Sequence, residues 1–376
     1  MVRQGRKDSG ATAEALADEP DRFACPICHG SLATGPESFG CRSCARDYPL
    51  VLGIPDFRLF PDPYIGIEED RAKARRIAAR AASTDFAGLL EFYWSITEDT
   101  PGRLAGRFIR HARSAYERAG SLLDDLGSQR GASSSREARV LELGCRAGGL
   151  LAAAAERHGA TIGIDIALRW LVLARKQLEE RGIQARLACA CAEHLPLPAR
   201  SFDLVLAENV IEHVRTPQAL VSEAYRVLRP GGQLYGLTCN RLSLGPEPHV
   251  RVWGVGFLPR RWMEPYVRLV RRVPYRHVHL LSPAGLRSLL DASPFGGTQA
   301  LDPGKAVRID LPRFDPRQVD SLSAAGRGLA RAYNTLRDWP IVRSVLALVA
   351  PVLRFRCRRD EGTGPTAGEG AFLAKP

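Results

Sequence analysis

From residue 139 onward, short apolar runs alternate with longer amphipathic stretches. Val140–Leu143 reads as a strand, followed by a Gly-containing turn and an Ala-rich helix to His158. Thr161–Ile164 is a second strand ending at Asp165, with a helix from about Ala167 to Arg181. Ala185–Ala190, Phe202–Ala207 and Gln233–Thr238 continue the strand series. The helix over 216–228 stops at Arg229-Pro230-Gly231-Gly232, a Pro-Gly stop signal. Strands separated by helices of about 10–15 residues predict βαβ units, hence an α/β fold with a parallel sheet covered on both faces.

The flanks have other patterns. Residues 1–22 are polar and mixed in charge, which predicts disorder. Residues 65–126 read as a helical lid or connector in which Phe86, Leu89, Leu90, Phe92, Tyr93 and Trp94 supply apolar and aromatic positions. Residues 127–138 have linker composition. A Pro-, Trp- and Arg-rich insertion over 241–281 interrupts the alternation, which resumes with a helix over 283–292 and weak strands near 298–301 and 307–311. The tail over 320–376 reads as helical and then Gly-rich. Its apolar run, Val345–Leu353, is too short for a spanning helix of roughly 20 residues. Residues 1–24 carry acids and no apolar core, so no signal peptide is expected. A cytoplasmic protein with reduced thiols is the resulting expectation.

That expectation leaves nine cysteines to explain. Cys25-Pro-Ile-Cys28 and Cys41-Arg-Ser-Cys44 are two CxxC knuckles separated by twelve residues. Such a pair supplies four thiolates for a closed, structural Zn²⁺ site. A segment of this size builds little core by itself, so a metal would supply much of its folding free energy. Disulfides are disfavoured by compartment, and a redox CxxC by the absence of a βαβ unit at either pair. With Tyr48-Pro49 and Gly53-Ile54-Pro55-Asp56-Phe57, residues 23–60 resemble the zinc-ribbon family that accompanies or activates tRNA methyltransferases. The resemblance implies a methyltransferase neighbour.

The stretch Val140-Leu141-Glu142-Leu143-Gly144-Cys145-Arg146-Ala147-Gly148-Gly149 runs a strand into a Gly-rich turn and a helix. A dinucleotide fold would want GxGxxG and no acid beside a pyrophosphate. Glu142 instead suits a cationic ligand. Asp165 ends the next strand, where a carboxylate can accept from ribose hydroxyls. Together with Cys191-Ala192-Glu193, Ser201-Phe202-Asp203, Glu212-His213-Val214 and Leu228-Arg229-Pro230-Gly231-Gly232, this order resembles class I S-adenosylmethionine-dependent methyltransferases of the type-11 kind.

The resemblance implies a Rossmann-like, seven-stranded sheet over 138–312 and S-adenosylmethionine as cofactor. It implies that Glu142 orients the methionine part and that Gly144, Cys145 and Gly148 form the turn against it. Asp165 and Ile166 would lie at the ribose, Ala192 and Glu193 at the adenine, and Asn209 and His213 at the methyl-transfer pocket. Two residues depart from the family pattern: Arg146 replaces a glycine, and Cys191 replaces an aspartate.

The net charge of +12 sharpens the substrate side. Half of it falls in residues 251–280, which hold seven Arg and one Glu. This insertion follows the fifth strand and can form a lid over an anionic or lipid-linked small acceptor. Glu247, His249 and His279 are candidates there for binding, metal or base roles, against simple lid-holding hydrogen bonds. Arg343, Arg354, Arg356, Arg358 and Arg359 flank the tail's apolar run and suit either an anionic membrane surface or docking onto the domain. Two other functions remain open: RNA base methylation, from the ribbon fusion and the basic charge, and a non-catalytic binding role with a degraded cofactor pocket, from Arg146 and Cys191.

Overall fold

The computed structural model describes residues 23–97, 102–127, 136–296, 307–308, 315–320 and 323–360. The disorder expected for 1–22, the strand near 298–301 and the Gly-rich end lie outside the described residues, as does most of the 127–138 linker.

Four short strands open the chain: β1 (Ala33–Thr34), β2 (Ser38–Cys41), β3 (Arg46–Val51) and β4 (Ile54–Pro55). They pair antiparallel in sequence order. Phe23, Phe39, Tyr48 and Phe57 form their core, with Phe57 in contact with the other three rings at centroid distances of 5.1–5.5 Å. This unit does not stand apart. Asp56 bridges to Cys189 in parallel, and the Phe57 amide donates to the Cys189 carbonyl at 2.7 Å. The unit thereby caps the open edge of the main sheet, which would otherwise expose unpaired backbone groups.

Four helices follow: α1 (Ile67–Ala81), α2 (Phe86–Ser95), α3 (Gly102–Arg113) and α4 (Ala115–Gly127). Ala74, Ile77, Leu89, Leu90 and Tyr93 are buried with Leu168, Leu171 and Leu178 in one apolar cluster. The region read as a lid or connector therefore covers one face of the α/β core. Tyr93 and Trp94 pack on Trp170, and Trp94 stacks on Phe108, so both rings serve packing.

The alternating region forms β5 (Arg139–Leu143), α5 (Gly149–Arg157), β6 (Ala160–Asp165), α6 (Leu168–Arg181), β7 (Arg186–Cys189), β8 (Phe202–Glu208), α7 (Pro217–Val227) and β9 (Leu228–Cys239). Then come α8 (Arg260–Arg271), α9 (Pro283–Asp291), β10 (Val307–Arg308), α10 (Pro316–Asp320), α11 (Ala324–Leu336), α12 (Pro340–Val349) and β11 (Val352–Arg358). The sheet runs β11-β9-β8-β5-β6-β7, with the two-residue β10 paired outside β11. Among the described residues it is six strands plus a two-residue edge pairing, where a seven-stranded sheet was expected. β5 to β9 are parallel to one another; β11 is antiparallel to β9.

β11 corrects the expectation of a helical tail at 352–358, after the helices α11 and α12. The apolar run 345–353 divides between the end of α12 and the start of a strand. Leu353, Phe355 and Cys357 face inward and alternate with arginines. Three of the tail's cations are engaged by the domain: Arg356 with Gln233, Arg358 with the Gly231 carbonyl, and Arg359 with the carbonyls of Tyr225, Arg226 and Leu228.

The insertion begins and ends at one point, where the Arg241 amide donates to the Leu281 carbonyl at 2.9 Å. It carries a small core of its own, with Val250, Val252, Val255, Met263, Val267 and Tyr275 buried together.

Candidate active site and cysteine cluster

The carboxyl ends of β5, β6 and β8 converge on one cleft, the usual ligand position in a parallel sheet. Each strand end delivers an acid. Glu142 lies within β5, Asp165 ends β6 and Glu208 ends β8. Glu142 is buried, and its Oε2 has no hydrogen-bond partner. Burial pushes its carboxyl well above the ordinary value, and the nearby Glu208 and Asp165 push in the same direction. An orphaned buried carboxylate oxygen beside two further acids is an environment that a cationic ligand would relieve.

The turn after β5 is shaped for close approach. Gly144 has φ +66°, and a Cβ there would sit 2.4 Å from Val210 Cγ2. Gly148 has φ +83° and would meet Ala174 at 2.9 Å. Cys145 is buried behind the turn. Arg146 adopts φ +51°, a left-handed conformation that explains why a glycine suits this position. Its side chain is exposed, while its backbone amide donates to Asp165 Oδ2 at 2.8 Å.

Asp165 Oδ1 accepts from the Ala167 amide, also at 2.8 Å, across Ile166. Each carboxylate oxygen keeps a second lone pair. Burial raises this carboxyl to about 6, against the two backbone donors, which act to lower it. Cys191 is buried, with its thiol directed to the Phe60 carbonyl at 3.7 Å. Ala192 and Glu193 are buried beside it, and Glu193 Oε1 accepts from the Arg215 amide at 2.8 Å.

Asn209, at φ +52°, accepts a weak bond from the Cys239 thiol at 3.5 Å. His213 Nε2 stands 3.1 Å from His249 Nε2, with the rings edge to face. His249 Nδ1 in turn meets Glu247 Oε1 at 2.5 Å, and Glu247 Oε2 accepts from the amides of His249 and Val250. The insertion thus brings an oriented histidine to the motif histidine. Burial holds His213 well below the ordinary histidine value; His249, Arg146 and His279 act in the same sense, and the His277 carbonyl opposes them. Its Nδ1 has no hydrogen-bond partner. His279 is turned away, with its ring nitrogen 3.0 Å from Arg260. Glu212, Cys239 and His249 also bring ligand-type atoms within 4.8 Å of one another. Glu212, however, accepts from Thr238 at 2.9 Å, and His249 is held by Glu247 and His213.

One group of residues escaped sequence reasoning. Arg58 bonds Asp56 and Asp70 at 2.7 Å each, and Arg169 bonds Asp70 at 2.6 Å and Asp62 at 2.8 Å. Arg58 also donates to the Ile166 carbonyl at 3.2 Å, and Asp70 accepts from the Leu168 amide at 2.8 Å. The loop that carries Asp165 is therefore held from behind by the N-terminal unit and α1. No spacing rule marks such a network, because its bonded partners lie up to 108 residues apart.

The cysteine knuckles do meet. The sulfur-ligand atoms of Cys25, Cys28, Cys41 and Cys44 all lie within 4.8 Å of one another. Cys25–Cys44 and Cys28–Cys41 are 3.8 and 3.6 Å apart. A tetrahedron with metal–sulfur bonds of ~2.3 Å has edges of about 3.8 Å, so the donor set fits a four-thiolate metal.

A family model described as a methyltransferase domain matches residues 141–236. Residues 141–236 are thus similar to methyltransferase domains. Among curated proteins, the chain is 32% identical over 157 residues to a ubiquinone biosynthesis O-methyltransferase of Idiomarina loihiensis, covering 41% of this chain and 60% of that one. It is 36% identical over 140 residues to the protein of the same name from Agrobacterium fabrum, covering 35% and 54%. The chain thus spans just over half the length of these relatives. A solved phosphoethanolamine N-methyltransferase of Haemonchus contortus, in complex with S-adenosyl-L-methionine, is 17% identical with a TM-score of 0.42, over 65% of this chain and 56% of that one. Among the described residues, no helix is long and apolar enough to cross a membrane.

Proposed function

We propose that this chain transfers a methyl group from S-adenosylmethionine to a small-molecule acceptor, with a structural Zn²⁺ held by Cys25, Cys28, Cys41 and Cys44. The observation that carries the reading is the orphaned Oε2 of buried Glu142 beside Asp165 and Glu208, because the cofactor brings an ammonium and a sulfonium. When bound, that cofactor supplies an electrophilic methyl for in-line displacement.

The chain's own residues would do the rest. Glu142 would hold the ammonium, with the backbone at Gly144, Cys145 and Gly148 packed against the methionine part. Asp165 would accept from the ribose hydroxyls beside Ile166, and Ala192 and Glu193 would border the adenine. Arg146 is exposed, and its charge is felt by both Glu142 and His213, so it would border the methionine part and could meet its carboxylate. Loss of the family's aspartate at Cys191 removes one adenine acceptor, and Glu193 remains beside it. Asn209 would border the reacting atoms, and His213, kept neutral by burial, would offer its unpartnered Nδ1 to the acceptor's proton. The names of the relatives favour an oxygen acceptor, and the acid-poor insertion favours one that is anionic or lipid-linked.

Calorimetry with S-adenosylmethionine tests the cofactor, and labelled methyl incorporation into extracted metabolites tests the acceptor class. Micromolar binding that disappears in Asp165→Ala is the expected result. No binding by the intact chain would refute the reading.

A further inference from the structure

A cavity of about 570 Å³ lies between the start of α3 and the insertion. Arg107 and Arg110 line it from α3; Arg251, Arg271 and Arg272 line it from the insertion. The lining contains no carboxylate, and Leu104 and Val270 contribute apolar surface. None of the five arginines forms an ion pair among the described residues. Two are fixed by backbone: Arg107 Nη1 donates to the Pro248 carbonyl at 2.9 Å, and Arg271 Nη2 to the Arg251 carbonyl at 3.1 Å.

Such crowding is unfavourable without a counter-charge. Arg110, Arg251, Arg271 and Arg272 are exposed and Arg107 is half-buried, so solvent and salt screen their mutual repulsion, but no carboxylate of the lining offsets it. Burial and the Arg251 charge both hold Arg107 below its ordinary value; Glu247 opposes them in part. One surface carboxylate needs one guanidinium. Five planar, five-donor forks around a ligand-sized space match an anion with several oxygens, and phosphate is the group that guanidinium geometry suits best.

The cavity also adjoins the reacting end. Pro248, which Arg107 holds, sits between Glu247 and His249, and His249 faces His213. We propose that this five-arginine cavity binds a phosphate or diphosphate group on the methyl acceptor, anchoring it while the accepting atom lies toward His213 and His249. The proposal rests on the methyltransferase reading and adds the chemical class of its acceptor. Anion binding would order the Glu247–His249 segment through Arg107, so one contact would serve both anchoring and alignment.

Inorganic pyrophosphate is the probe, titrated into the full chain by calorimetry at constant ionic strength. Arg110→Gln/Arg271→Gln leaves the proposed cofactor and proton-transfer residues untouched and retains Arg107. Saturable pyrophosphate binding, weakened at least tenfold in the double variant with S-adenosylmethionine affinity unchanged, is the expected result. A parallel arm compares sedimentation with phosphatidylcholine vesicles with and without phosphatidic acid. Binding to the anionic vesicles alone, lost in the same variant, supports the site with a lipid phosphate as its source; binding to pyrophosphate supports a soluble one. Binding to neither overturns the proposal, as does binding to either that the double variant leaves intact. Failure to bind S-adenosylmethionine would instead overturn the underlying reading while leaving the anion result standing.

Discussion

Arg58 and Asp70 meet at 2.7 Å with neither side chain accessible to solvent, tying the cysteine-bearing unit to the helix behind the Asp165 loop. Breaking one partner of a buried pair leaves the other charge unpaired, at a cost of about 3–5 kcal/mol. Arg58→Met is expected to lower the free energy of unfolding in urea by that order and to weaken S-adenosylmethionine binding, because the Ile166 carbonyl loses its donor. Calorimetry on the folded fraction checks the second effect. Unchanged affinity would separate the network from the cofactor site.

Asp165 predicts an unusual pH response. Its folded carboxyl holds a proton up to about pH 6, while its ordinary value is 3.8. Between those values the native state binds more protons than the unfolded state, so stability falls as pH rises through this window. The loss, about 3 kcal/mol, persists above it. Cofactor-free Asp165→Asn, which no longer titrates and gives up one of the two backbone bonds, is therefore expected to lack the fall in stability that wild type shows between about pH 4 and 6, while binding the cofactor far more weakly. Cofactor affinity in the wild type should rise with pH through about 6, because ribose hydroxyls bond the ionised form best.

His213→Ala and His249→Ala are expected to lower methyl transfer by roughly 10²-fold or more, the usual range for general-base removal, with cofactor affinity retained. Glu247→Gln tests how the rings are aligned. The carboxylate requires a proton on His249 Nδ1, which leaves Nε2 to accept from His213 when both rings are neutral. An amide can instead donate to Nδ1, which would reverse that order. A shifted pH–rate profile in Glu247→Gln is the expected signature; a lower rate with an unchanged profile would refute it.

Cys44→Ser is expected to lose a stoichiometric zinc and to open residues 23–58 to proteolysis. Cys357→Ser, at the other end of the protein, should keep the metal. Metal analysis of both purified variants checks this, and a metal-free wild type would refute the assignment.

The parallel strands were legible because each is a local apolar run punctuated by Gly or Pro, and the cysteine knuckles because a four-thiolate site has few spacings. Glu142 and Asp165 were legible by their place at strand ends. The partnership of His213 with His249 was not, since it depends on how the insertion folds back. Nor were the five arginines, which come from two separate elements. β11 left a signal that was misread: Leu353-Arg354-Phe355-Arg356-Cys357-Arg358 alternates at the period of a strand. The apolar run before it favoured a helix, and the arginines suggested a surface.

Phe355 gives that strand its grip. Its ring occupies the space beside Gly236, where a Cβ would collide with it. Phe355→Ala is expected to cost about 3–5 kcal/mol in urea unfolding, and Gly236→Val to be similarly disruptive.

The same strand governs when the protein can be completed. β9 ends at Cys239, and its outer neighbour begins only at Val352. At about 5–20 residues per second, synthesis leaves that edge unpaired for roughly ten seconds, with more than a hundred residues still to emerge. Closing so long a loop is also slow after release. Nascent chains stalled before Val352 should therefore carry a nearly finished sheet with one adhesive side, and yield of folded protein should respond to translation speed and chaperone supply more than to temperature.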